Sequence, residues 1–119
     1  MSKYHLEAAI AYWHTTDDGE KWNNILQLYN KLLTIEYSPV IAMNRTYALA
    51  KANSPKEAIA SALKLGLNEN HYYYCLLADL YRMSNSINQE IKYLNKALEI
   101  TKKPDEIALV KRKLKNARE

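Results

Sequence analysis

The sequence predicts an all-α fold of about seven antiparallel helices, and three observations carry that prediction. Apolar residues recur with a helical period from one end to the other. Ser, Pro and acidic residues stand as start signals between the periodic stretches. No segment alternates with period two over a useful length, and two Gly and three Pro in 119 residues are too few for the tight turns of an all-β protein.

The elements follow in order. A first helix spans roughly 3–15, with Leu6, Ala9, Ile10 and Trp13 on one face. The stretch Thr16-Asp17-Asp18-Gly19-Glu20 breaks it and caps a second helix, roughly 18–35, whose stripe is Trp22, Ile25, Leu26, Tyr29, Leu32 and Leu33. Ser38-Pro39 opens a third, with Ser as N-cap and Pro at the first helical position; its stripe is Val40, Met43, Tyr47 and Ala50. Ser54-Pro55-Lys56-Glu57 is a capping box for a fourth, which should bury Ala58, Ile59, Ala62 and Leu63 and stop at Gly66. The fifth, roughly 70–84, carries Tyr73, Tyr74, Leu77, Leu80 and Tyr81. Ser86-Ile87-Asn88-Gln89 reads as a second capping box, with Ile87, Ile91, Leu94 and Leu98 inward. Pro104-Asp105-Glu106 starts a seventh helix, its two acids placed where the helix dipole favours them, and Ile107, Val110, Leu114 and Ala117 form its apolar side. The connections are short, so successive helices should pack antiparallel. No Pro/Gly/Ser-rich linker divides the chain, which predicts a single domain over residues 1–119.

Composition narrows the function classes. Apolar residues make up 48% of the chain, enough for a core. Ten Tyr and no Phe suit half-buried helix faces, with the ring covered and the hydroxyl reaching water or a partner. No apolar run approaches the roughly 18 residues of a membrane span, and Lys3, His5 and Glu7 interrupt the start where a signal peptide would need apolar residues. The one cysteine, Cys75, allows no internal disulfide, so a cytoplasmic location is expected. The net charge is +4, yet residues 1–101 carry ten basic and ten acidic side chains. All the excess sits on residues 102–119, so the body lacks the basic surface of a nucleic-acid binder.

A repeat of about 34 residues emerges from the helix pairs. Tyr74, Leu77, Ala78 and Tyr81, then Asn85, then Ile91, Leu94 and Ala97, with Pro104 beyond, resemble a tetratricopeptide repeat. Glu90 departs from that pattern, which prefers Ala where the two helices touch. Asn85 replaces the usual turn Gly, but Asn also tolerates the left-handed conformation. One repeat earlier, Val40, Met43, Asn44 and Tyr47 match more loosely. The resemblance implies stacked hairpins in a right-handed superhelix, each covering its neighbour's apolar face.

A second resemblance covers nearly the whole chain and is densest over residues 4–50. Tyr4-His5-Leu6-Glu7-Ala8-Ala9-Ile10-Ala11, His14, Trp22, Ile25, Leu28-Tyr29, Leu32, Ser38-Pro39-Val40, Asn44-Arg45 and Ala48 resemble the C-terminal extension of a group of bacterial extracytoplasmic-function (ECF) sigma-70 factors. Ala78-Asp79-Leu80 followed by Arg82, and the closing Leu98-Glu99, fit the same group. The resemblance implies a tetratricopeptide-like regulatory tail without its promoter-binding domains. It would modulate transcription by touching the sigma factor's N-terminal domains or core RNA polymerase, with no direct DNA contact of its own and no membrane. The alternative is a free-standing tetratricopeptide adaptor that binds a peptide in its concave groove.

Candidate chemistry is sparse. His71 and Cys75 stand at i, i+4 and offer two metal ligands or an activated thiol. A structural zinc needs four ligands, and no second Cys/His pair completes the set. No Gly-rich loop exists to cradle a phosphate. Asp17, Asp18 and Glu20 are better explained as caps than as an acid–base pair. The expectation is therefore no enzyme, no cofactor and no metal. Asn44 should point inward and brace neighbouring helices through its amide. First helices of tetratricopeptide hairpins line the groove, and on that mapping Arg45, Tyr72, Asp79 and Arg82 face a protein partner. The basic last helix carries Lys111, Lys115 and Arg118 on one side with Arg112 and Lys113 beside them; a nucleic-acid contact is a third reading, but the face reads most simply as the solvated side of a terminal repeat.

Overall fold

The computed structural model describes residues 2–119, and these form seven α-helices with no strand among them. They are α1 (Lys3–His14), α2 (Lys21–Ile35), α3 (Pro39–Ala52), α4 (Pro55–Leu63), α5 (His71–Met83), α6 (Ile87–Ile100) and α7 (Pro104–Arg118). The chain divides into two compact units, one ending at Ser61 and one running from Ala62 to Glu119. None of the helices is long and apolar enough to cross a membrane.

Caps set most of the helix ends. Ser38 and Ser54 accept at their Oγ atoms from the amides of Ile41 and Glu57, at 3.4 and 3.2 Å. Both satisfy a donor that the first turn leaves free. Asn70 does the same for α5, with its Oδ1 accepting from Tyr72 and Tyr73. Helix α2 starts at Lys21 rather than near residue 18. The Asp18 side chain accepts from the Glu20 amide at 2.7 Å and its carbonyl from Lys21, so Asp18-Gly19-Glu20 is a turn ahead of the helix.

Two residues take the left-handed conformation, Gly66 (φ 60°) and Asn85 (φ 61°). At Asn85 the bonds of a Schellman motif close α5: the Ser86 amide donates to the Tyr81 carbonyl at 2.9 Å and the Asn85 amide to Arg82 at 3.0 Å. This explains why the expected capping box at Ser86 does not form. Its amide already ends the preceding helix, and its side chain makes no cap bond to α6.

In the first unit, α2 packs against both α1 and α3. Leu6 and Ile10 of α1, Ile25, Leu26 and Leu32 of α2, and Ala42, Met43, Ala48 and Leu49 of α3 are buried. Trp22 closes one margin of this core. It meets His14 and Tyr47 edge-on, and Lys21 and Lys51 lie over its ring. In the second unit α6 packs against both α5 and α7. Tyr73, Leu77, Ala78, Leu80, Leu94, Ala97, Val110 and Leu114 are buried. Tyr93 stacks against Tyr74 and Tyr81, with centroids 6.1 and 5.6 Å apart, and Tyr73 gives its hydroxyl to the Ala62 carbonyl at 2.8 Å. These tyrosines divide ring burial from hydroxyl satisfaction as the composition suggests.

Three positions expected inside are outside. Val40 is 59% exposed, Ile87 55% and Leu63 47%. Each lies in the first or last turn of its helix. On α3 the buried face is instead Ala42, Met43, Thr46, Leu49 and Ala50, and Thr46 satisfies its hydroxyl on the Ala42 carbonyl at 2.8 Å.

Candidate functional site

The second unit contains a cleft of about 520 Å³ where α5, α6 and α7 meet. Its floor holds Glu90 and Leu94 from α6, and its sides carry Asp79 and Arg82 from α5 and Arg112 and Lys113 from α7. Lys113 donates from Nζ to Asp79 Oδ1 at 3.3 Å, and the more exposed Arg82 reaches the same oxygen at 4.0 Å. Glu90 is only 6% exposed, and burial pushes its carboxyl above the usual range. Arg82 and Lys113 oppose that push, and Asp79 adds to it.

At the other end of α5, Glu106 of α7 accepts two hydrogen bonds and lies beside an imidazole. Thr101 gives its hydroxyl to Oε1 at 2.7 Å, Tyr72 gives its hydroxyl to Oε2 at 3.1 Å, and His71 Nε2 stands 3.4 Å from Oε2. The Thr101 bond does most to hold the Glu106 carboxyl below its ordinary range, with Tyr72 and His71 acting the same way. Tyr72 and Asp79 are thus bonded to Glu106 and Lys113, and each pair is separated by 34 residues. Equal separations require α5 and α7 to run parallel in one register, two helical turns apart along both.

The residues expected at a partner surface are distributed as follows. Asp79 and Arg82 stand together on the cleft. Tyr72 lies two turns away and is exposed, with its hydroxyl on Glu106. Arg45 belongs to the first unit and is held there, Nε donating to Asn30 Oδ1 at 2.9 Å and Nη1 to Ser61 Oγ at 3.1 Å. Asn44 is exposed rather than inward, because it lies one turn from Val40 on the same outer face. It faces Tyr29 of α2, whose phenol is pushed up by burial and partly restored by the Asn44 amide. The Cys75 thiol is half-buried, and burial pushes it up, away from a reactive thiolate. Among the described residues no group of three or more His, Cys, Asp or Glu side chains is placed to hold a metal.

Sequence reasoning took Arg112 and Lys113 only as part of the basic last helix, Glu106 only as a first-turn acid and Glu90 only as a departure from pattern. The repeat period held the signal: adding 34 to Asp79 and to Tyr72 gives Lys113 and Glu106.

No protein-family model matches the chain. It is similar to an uncharacterized protein of Rhizobium meliloti (strain 1021), with 34% identity over 74 residues. That match covers 60% of this chain and spans 18% of the relative's length.

Proposed function

We propose that the chain is a regulatory protein-interaction domain built from tetratricopeptide-like hairpins, and that it serves an ECF sigma factor by contacting the factor's own helical domains or core RNA polymerase. One observation carries the interaction reading: the cleft lined by Asp79, Arg82, Arg112 and Lys113, on two parallel helices whose cross-links fall one repeat apart. A parallel pair in a 34-residue register is what neighbouring first helices of such repeats provide. The left-handed Asn85, at the place of the repeat's turn Gly, supports the same reading. The sigma-factor assignment rests on the residues of α1 to α3 that resemble the extension. A relative in which the matching segment is a small fraction of the chain is consistent with an appended module.

Control here is a coupling between surfaces. The domain biases the factor between silent and active states by binding one of them better. The test is promoter-dependent transcription in vitro by the factor with and without this segment. Truncation should change initiation at least several-fold while the promoter-binding domains stay folded. An unaltered rate contradicts the reading.

A further inference from the structure

We propose that the α5–α6–α7 cleft binds a cationic side chain, the Arg or Lys of a partner peptide, with the Glu90 carboxylate as its counter-ion. This rests on the interaction reading above and names the chemistry of the partner at that surface.

Glu90 is the anomaly of the cleft. At 6% exposure it is the one carboxylate among the buried residues. Every other acid on the cleft can be accounted for: Asp79 is paired with Lys113, and Glu119 is exposed. The Glu90 carboxylate has neither a hydrogen bond nor an ion pair among the described residues, although Arg82 and Lys113 are near enough to act on it through space. No fully buried side-chain oxygen or nitrogen lacks a partner, so the Glu90 oxygens keep their access through the cleft. A carboxylate held this way keeps only part of its water and gains no protein donor, and that is costly. A guanidinium or ammonium group entering the cleft supplies the missing donor.

The walls fit the rest of such a side chain. Ile87, largely exposed, offers apolar surface to the methylene stem of Arg or Lys. The exposed guanidinium of Arg82 and the exposed Arg112 lie at the rim. They favour acidic residues on either side of the incoming cation and disfavour a run of basic ones. The ligand class is therefore a single basic residue flanked by acids.

The probe is the acetylated, amidated peptide Glu-Leu-Arg-Leu-Glu, titrated into the isotope-labelled chain and followed by amide chemical shifts. Its control has citrulline, the neutral isostere, in place of Arg. The Arg peptide should bind at least tenfold tighter than the citrulline peptide, with shifts centred on residues 87–94 and 112–116. Glu90→Gln removes a buried charge and should keep the native amide spectrum while losing the tenfold preference. Equal affinities for the two peptides, including no binding of either, overturn the proposal, as does a preference that survives in Glu90→Gln. A parallel titration with the sigma factor's helical domains separates the two levels. If Arg82→Glu weakens that complex but Glu90→Gln does not, the cation site fails and the interaction surface stands. If neither variant matters, both fail.

Discussion

Lys113 Nζ stands 3.3 Å from Asp79 Oδ1, 34 residues earlier in the chain, and the bond ties α7 to α5 beside the cleft. Both side chains are about two-thirds covered, so the pair lies between a solvated surface bridge and a buried one. A double-mutant cycle with Asp79→Asn and Lys113→Met, measured by urea unfolding, should give a coupling of about 0.5–1 kcal/mol. Additive single effects would mean that the two charges do not sense each other.

Asn85 supplies a second test. Its φ of 61° is strained for residues with a Cβ, least so for Asn and not at all for Gly. Asn85→Ala should therefore cost about 1 kcal/mol, and Asn85→Gly should be neutral or slightly stabilising. Equal unfolding midpoints for the Ala variant and the wild type would contradict the left-handed turn.

Glu90 gives a stability-versus-pH signature. Its folded carboxyl is raised, chiefly by burial. Stability linked to this group is fully present below the unfolded glutamate range and is lost as pH rises through the raised folded value. Glu90→Gln should thus be more stable than the wild type at pH 7, with the gap closing toward pH 4. Urea midpoints across that range read it directly, and a gap of the opposite sign would show that the carboxylate is stabilised where it stands.

Glu106 has the opposite sign. Its carboxyl is lowered, first by the Thr101 hydroxyl, so its contribution is present above the unfolded glutamate range and lost as pH falls through the lower folded value. Thr101→Val removes the shortest of its bonds and should flatten the acid limb of the stability profile. An unchanged acid limb would place the effect elsewhere.

Much of the helix content was legible because it depends on local chemistry. Ser38, Ser54, Gly66 and Asn85 act through a few neighbouring backbone atoms, and each behaves as its type and position suggest. Ser86 shows the limit of that logic: one amide cannot both close α5 and begin a capping box for α6. Val40, Ile87 and Leu63 fail for another reason. Periodicity assigns a face to a helix but does not say where the covering neighbour ends. Asn44 follows Val40 outward, since a shift of α3's buried face toward Ala42 and Thr46 carries both away from the core. The candidate site was half visible. Asp79 and Arg82 lie on the resembling helix itself, whereas Lys113 and Glu106 become partners only when the 34-residue register is carried past Pro104.

We propose that the cleft face is a docking surface for one of two partners, the helical domains of an ECF sigma factor or core RNA polymerase. Calorimetric titration of this chain with those helical domains and with core RNA polymerase tests it most directly, comparing wild type with the Arg82→Glu, Arg112→Glu double variant. Both arginines are exposed at the rim, so the fold should tolerate the change. The account predicts saturable binding by the wild type and at least a tenfold loss in the variant. Absence of binding to both partners, or equal affinity of the wild type and the double variant, would contradict it.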